Sequence, residues 1–296
     1  MKTNTLIRSF LFAPGNHARK VEKAFALDAD AVILDLEDSV PAKEKILSRK
    51  QVIDALSKPH KAHGYIRING CDTEFFENDI QEVVGPWLDG IVLPKAETSE
   101  MVEQVSFQIS EAEKKSGLKL NSIELLPIIE TAKGVENANE IAAGSDRICR
   151  LAFGGGDYTL DLNYIWNSDE EVLSYARSKI GHACRIANIE PPIDTVVLEI
   201  KDNDRFIASA ERGRTFGFSG KLCIHPDQIS LCNKIFSPDS DEIAYAQKVI
   251  LAFEKSESDG SASIEIDGNF VDYAIVKKAQ RIIDLQEILE RRSIEK

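Results

Sequence analysis

Short, nearly unbroken apolar runs alternate along this chain with longer stretches whose apolar residues recur every three or four positions. The runs predict strands near 8–12 (RSFLF), 31–35 (AVILD), 65–68 (YIRI), 90–93 (GIVL), 123–128 (IELLPI), 148–153 (ICRLAF), 194–198 (DTVVL) and 221–224 (KLCI). Helices are predicted near 16–28, 43–57, 74–84, 98–116, 133–143, 168–188 and 203–216. Val, Ile and Leu fill the strands with little polar alternation, as parallel strands buried on both faces require. Eight strand–helix alternations favour a closed α/β TIM (β/α)8 barrel over an open doubly wound sheet.

Past residue 235 the rhythm changes, so residues 1–235 are expected to form the barrel and 236–296 an extension. Its first segment opens on the turn and cap residues Ser237, Pro238 and Asp239 and then turns helical. A polar stretch, ESDGSAS, leads to IEIDGNFVD, a predicted hairpin turning at Asp267-Gly268, and the last segment is an amphipathic helix. A lid or a subunit contact would suit such an appendage.

In a barrel of this kind the carboxyl ends of the strands converge on one face, where the chemistry is kept. Glu130 closes one strand, Asp157 follows another after three glycines, and Arg67 and Asn69 end a third. A lone strand-end acid is commonly a cap or a loop residue. Two on adjacent strands project into one mouth, where carboxylate oxygens suit Mg2+ or Mn2+. No histidine cluster accompanies them, which disfavours zinc. Gly154, Gly155 and Gly156 read either as a tight turn or as a close ligand approach. Arg67 reads either as a salt bridge to Asp35, Glu37 or Asp38, or as a clamp on a substrate carboxylate. Arg8, at the start of the first strand, carries the same ambiguity. Pro14, Gly15 and Asn16 form a turn and cap before a helix whose early turns hold Arg19 and Lys20, a credible phosphate site. Lys95 ends the fourth strand, where surface pairing and substrate contact are equally open, and His225 reads as a structural strand-end residue.

The net charge of −13 argues against nucleic acid, which normally calls for a basic stripe. The five cysteines lack any C-x-x-C spacing and fit free thiols in a reducing compartment. The opening fifteen residues lack a signal peptide's apolar centre, and no run reaches the ~20 apolar residues of a membrane span. A cytoplasmic enzyme without a membrane partner is expected. Neither a G-x-S-x-G nor a G-x-G-x-x-G motif is present.

Taken in order, RSFLFAPGN, ADAVILDLEDSVPAKEK, YIRING, DGIVLPKAE, LPIIETAKG, LAFGGGDY, GKLCIHPDQI and IDGNFVD resemble the citrate lyase beta-subunit family, which includes malyl-CoA and citramalyl-CoA lyases. The resemblance covers most of the chain. It implies a TIM-barrel homo-oligomer, a trimer or hexamer, that cleaves or forms a carbon–carbon bond in a 3-hydroxyacyl thioester, giving a 2-oxo acid and acetyl-CoA. It implies Glu130 and Asp157 as Mg2+ ligands and Arg67 as the keto-acid clamp. Arg8 and the turn Pro14, Gly15, Asn16 with Lys20 become substrate and coenzyme A contacts, and Asp272 the acid/base, often reaching a neighbouring subunit's site. An acyl carrier protein partner and a thioesterase outcome on the same scaffold are further implications. One departure stands out: where citrate lyase beta subunits commonly carry an acid before the metal-binding aspartate, this chain has Gly156, which points away from citrate cleavage in particular.

Overall fold

The computed structural model describes residues 6–258 and 262–295. The chain divides into two compact units, residues 1–233 and 234–296. The first is a closed barrel of eight parallel strands in sequence order. Its elements run β1 (Ser9–Pro14), α1 (Ala18–Phe25), β2 (Ala31–Asp35), α2 (Lys45–Leu56), β3 (His63–Arg67), α3 (Phe76–Val83), β4 (Gly90–Leu93), α4 (Ser99–Lys115) and β5 (Glu124–Ile129). They continue with α5 (Ala132–Glu136), α6 (Ala138–Ala143), β6 (Ala152–Phe153), α7 (Gly155–Asp161), α8 (Ser174–Ile186), β7 (Ile193–Asp194), α9 (Asn203–Thr215), β8 (Gly220–Cys223) and α10 (Asp227–Ile235).

The interior is filled by alternate residues of the strands: Phe10, Ile33, Tyr65, Val92, Leu126, Ile128, Ala152, Ile193 and Leu222 are all buried. At the amino-terminal end Tyr65 donates to Glu124 at 2.9 Å, and Arg150 pairs with the same carboxylate. Two further clusters of ion pairs lie wholly inside. Arg147 pairs with Glu113 at 2.6 Å, and Asp194 sits between Arg177 at 2.9 Å and Lys221 at 2.8 Å. Burial alone would raise the Asp194 carboxyl, but Lys221 and Arg177 outweigh it and hold it below the usual range.

The structure departs from the sequence-based expectations in local ways. The strand expected over 194–198 pairs only at Ile193–Asp194, and that over 148–153 only at Ala152–Phe153. A helix, α7, occupies the segment expected as a glycine turn, because its first-turn backbone is held from outside the helix. The helix expected over 133–143 is two, and that over 168–188 begins at Ser174, after Glu170 in left-handed backbone and a 3-10 turn at Glu171–Leu173. Helix α10 was not expected. Asn16 is not the cap of α1; His17 occupies that place, and the Asn16 amide donates to Glu44 at 2.7 Å.

The second unit comprises α11 (Ser240–Ser258), the hairpin β9 (Ile264–Ile266) and β10 (Asn269–Val271), and α12 (Tyr273–Glu295). Asp267 and Gly268 both have positive φ, 52° and 78°, as a two-residue hairpin turn demands. Val249, Phe253, Ile266, Val271 and Ala279 form its own small core. Residues 259–261 of the expected polar stretch, and residues 1–5 of the opening segment, lie outside the described residues. Among the described residues no helix is long and apolar enough to cross a membrane.

Breaking the Asp194 cluster tests its weight. Asp194→Ala leaves Arg177 and Lys221 buried without their shared acceptor, and the expected loss is about 3–5 kcal/mol in urea unfolding. Because the folded-state pKa is depressed, this contribution is present above the usual aspartate range and fades as pH falls below it. An unfolding midpoint unchanged by the substitution would show the cluster to be energetically neutral.

Candidate active site at the carboxyl ends of the strands

Parallel register brings the ends of β1, β2 and β3 side by side, pairing Pro14 with Asp35 and Asp35 with Arg67. Arg67 therefore meets Asp35 across adjacent strands, Nε to Oδ1 at 2.7 Å and Nη2 to Oδ2 at 2.8 Å. Its Nη1 lies 3.0 Å from Glu37 and 3.7 Å from Asp38, and the guanidinium stands 4.9 Å over the Phe12 ring. The salt-bridge alternative is thus realised, while Arg67 still faces the mouth. Burial opposes its charge, but Asp35 and Glu37 hold its pKa above the ordinary value. Glu37 is pushed up, chiefly by burial, with Arg67 acting against that.

Glu130 follows β5 directly and is 3 % exposed. The backbone N–H of Lys95 donates to its Oε1 at 2.8 Å. Lys95 reaches it only by adopting left-handed backbone, φ 47°, which is costly for a residue with a side chain and recurs at functional sites. Its ammonium lies 3.0 Å from Glu37. On the other side Glu130 abuts Gly154, where a side chain would collide with Oε2. Gly155 donates its N–H to the Thr195 hydroxyl at 2.7 Å, and that contact leaves no room for a β-carbon. The first turn of α7 is pinned in this way, and Asp157 rides on it. Burial, and secondly the charge of Asp157, raise the Glu130 carboxyl to about 8.

Arg67, Glu130, Asp157 and Pro14 line one cavity of about 490 Å3, with Asp35, Asp38 and Thr195 among the other polar walls. The rest of the wall is apolar, from Phe12, Val196, Leu198, Leu222 and Ile224. Sequence reasoning missed these and Thr195, because aliphatic residues at strand ends look like ordinary core. Among the described residues no group of three or more His, Cys, Asp or Glu side chains forms a metal cage. A buried carboxylate whose proton affinity is raised by burial and by the neighbouring Asp157, beside open space, does fit Mg2+, which keeps several sites for water or substrate oxygens.

Arg8 does not belong to this site. It precedes β1, at the opposite end of the barrel, where its Nε and Nη2 hold Asp30 at 2.8 and 3.0 Å. Gly15 and Asn16 do not line the cavity: the Gly15 N–H is taken by the Asp35 carbonyl at 2.9 Å, and the Asn16 amide by Glu44. Lys20 is exposed on α1, outside the cavity lining. His225 accepts from the Asp227 N–H at 3.3 Å, also outside the cavity lining. Asp272 lies in the second unit, where its Oδ1 accepts the N–H groups of Ala274 and Ile275 and caps α12.

Comparison with known proteins agrees with the fold and narrows its setting. Residues 8–226 match the family model described as HpcH/HpaI aldolase/citrate lyase. The citrate lyase subunit beta of Leuconostoc mesenteroides subsp. cremoris is 38% identical over 287 residues, 96% of this chain and 95% of that protein. The (3S)-malyl-CoA thioesterase of Cereibacter sphaeroides is 34% identical over 288 residues, 95% of each chain. Among solved structures, CitE from Mycobacterium tuberculosis in complex with magnesium, acetoacetate and coenzyme A superposes with a TM-score of 0.79 at 27% identity, covering 94% of this chain and 97% of that one.

The protonation of Glu130 gives the site a pH signature. With its carboxyl raised to about 8, the folded protein holds a proton there that the unfolded chain releases above about 4.5. Stability of the cation-free protein should therefore fall as pH rises through that window. A divalent cation needs the carboxylate, so Mg2+ binding at pH 7 should expel close to one proton, with affinity rising about tenfold per pH unit up to about pH 8. Calorimetry in two buffers of different ionisation heat reads the proton directly. Glu130→Gln should abolish the release and weaken binding, and undiminished affinity would dismiss Glu130 as a ligand.

Proposed function

This chain belongs to the HpcH/HpaI aldolase/citrate lyase family, and from that premise we propose that it is a Mg2+-dependent carbon–carbon lyase acting on a 3-hydroxyacyl-CoA. The products are a 2-oxo acid and an acyl-CoA such as acetyl-CoA. The observation that carries the reading is the meeting of Glu130, Asp157 and Arg67 in one cavity at the carboxyl ends of the strands.

Glu130 and Asp157 would hold the ion, which when bound supplies positive charge to oxygen atoms of the substrate's acid half. Lys95 N–H and the close approach of Gly154 fix the Glu130 carboxylate before the substrate arrives, so little reorganisation remains. Arg67, fixed in orientation by Asp35, would orient the acid half through Nη1, which is not bonded to Asp35 but which the substrate would have to share with Glu37, 3.0 Å away. In cleavage the hydroxyl gives its proton to solvent water, from which Asp272 regains the one it delivers, and its carbon becomes the carbonyl of the 2-oxo acid. The electron pair of the broken C–C bond passes to the thioester's α-carbon, and Asp272 delivers the proton that completes the acyl-CoA. Asp272 serves there as acid in cleavage and as base in the reverse condensation, in its own subunit's site or a neighbour's. A homo-oligomer, trimeric or hexameric and cytoplasmic, with the second unit as lid or subunit contact, accords with this.

Similarity to a (3S)-malyl-CoA thioesterase favours one alternative, hydrolysis of the same substrates. Similarity to citrate lyase subunits favours another, activity only on an acyl group presented by a carrier protein.

Malyl-, citramalyl- and citryl-CoA incubated with Mg2+, with products identified by mass spectrometry, separate the three. A 2-oxo acid plus acyl-CoA, abolished by a chelator, is the expected result. Free CoA with an intact hydroxy acid means hydrolysis, and turnover only after a carrier protein is added means the subunit reading. Asp272→Asn should lower kcat by roughly 10²–10⁴-fold while Mg2+ affinity is kept. Near-normal turnover would remove Asp272 from the mechanism.

A further inference from the structure

In a closed barrel of eight strands, β3 and β7 stand four places apart and so face each other across the mouth. Arg67 ends β3, and Thr195 directly follows β7. Both line the cavity, and in strand order Glu130 and Asp157 come between them. The arc running on from β7 through β8 to β1 is otherwise aliphatic and aromatic, from Val196, Leu198, Leu222, Ile224 and Phe12. Thr195 carries the one polar side chain that this arc adds to the cavity lining.

That side chain is wholly buried, and its oxygen accepts the Gly155 N–H at 2.7 Å. A hydroxyl has a proton to donate as well. Among the described residues the Thr195 proton has no acceptor. Accepting one bond polarises an O–H group and makes it the stronger donor. Branching at Cβ stiffens χ1, and the preceding Asp194 is clamped by Arg177 at 2.9 Å and Lys221 at 2.8 Å. The oxygen is therefore held in place before any ligand arrives, and only the O–H bond can turn.

A 3-hydroxyacyl thioester set with its acid carboxylate at Arg67 and its hydroxyl toward Glu130 and Asp157 has only this arc left for its thioester half. As the C–C bond breaks, its electron pair becomes the enolate double bond, and the pair of the thioester C=O moves onto oxygen. Negative charge thus grows on that oxygen beside apolar side chains, where an unpaired charge is strongly disfavoured. Resting on the lyase reading above, we propose that Thr195 is a catalytic residue whose hydroxyl donates a hydrogen bond to the thioester oxygen as the enolate forms. Thr195 keeps its proton throughout. Asp272 then protonates the α-carbon, the double-bond pair forms the new C–H bond, and the pair on oxygen restores the C=O. A donor fixed in advance on such an oxygen is worth roughly 10²–10³-fold in kcat.

Thr195→Val keeps the shape of the side chain and removes the hydroxyl. Assayed in the full chain on malyl-, citramalyl- and citryl-CoA with saturating Mg2+, it should lower kcat by roughly 10²–10³-fold with KM little changed. Mg2+ affinity, read by calorimetry in the absence of substrate, should stay close to native, because Glu130 and Asp157 remain. Thr195→Ser restores an O–H at the same place and should recover most of the lost rate. Near-native kcat in the valine variant would overturn the role of Thr195 and leave the lyase reading standing. Loss of Mg2+ affinity in proportion to kcat would also overturn it, by showing that Thr195 acts only in holding the turn that carries Asp157. Should the valine variant melt far below the native protein, Thr195→Ala and Thr195→Ser make the same comparison, and an equal loss of kcat in both would overturn the role. A native protein that cleaves none of the three esters, with or without a carrier protein, would overturn the lyase reading and this assignment together.

Discussion

A carboxylate kept dry at the end of β5 is the constraint around which the carboxyl-terminal face is organised. Glu130 is nearly inaccessible, and its charge is opposed both by burial and by the neighbouring Asp157. An isolated buried carboxylate would shift its pKa and neutralise, as the rise to about 8 shows. The surrounding backbone is nevertheless built to receive it in one orientation. Lys95 gives up a comfortable backbone conformation to aim its N–H at Oε1, and Gly154 gives up a side chain to let Oε2 approach. The Lys95 bond favours the charged form of Glu130 against burial, and left-handed backbone of this type recurs at functional sites.

The opposite side of the mouth is balanced rather than strained. Arg67, Lys95, Asp35 and Glu37 form a chain of alternating charge in which each cation touches at least one acid. Arg67 consequently stays cationic at any working pH and its plane is fixed by two bonds to Asp35. Such pre-orientation would lower the entropy lost on docking a planar carboxylate in the role proposed for Arg67. It also limits the positive charge on offer, because the same guanidinium is shared with Glu37 at 3.0 Å.

Much of this was legible in the sequence, and the failures have physical causes. The barrel was legible because eight apolar runs of strand length, spaced by amphipathic helices, leave few other ways to bury them. Glu130, Asp157 and Arg67 were legible because charge at the end of an apolar strand is anomalous in itself. Asn16, Gly15 and Arg8 were misplaced for a common reason: local signals say that a residue is at a turn or strand start without saying which neighbour takes its hydrogen bonds. The carbonyl of Asp35, the side chain of Glu44 and the carboxylate of Asp30 took them. Helix α7 escaped notice because three glycines have low helix propensity, and the bond that secures it comes from Thr195, forty positions away.

Thr195 also explains how a catalytic face can rest on strands as short as β6 and β7. Only two residues pair in each, so ladder hydrogen bonds alone would hold them weakly. Asp194, the residue before Thr195, is clamped by Arg177 from α8 and Lys221 from β8, with Gly213 of α9 packed directly against it. The clamp is wholly buried, so its geometry is over-determined by charge and packing together. It fixes the backbone of β7, which fixes the Thr195 hydroxyl, which fixes the Gly155 N–H and the first turn carrying Asp157. Precision at the mouth is thus transmitted from an ion cluster between barrel and helices, where no substrate reaches.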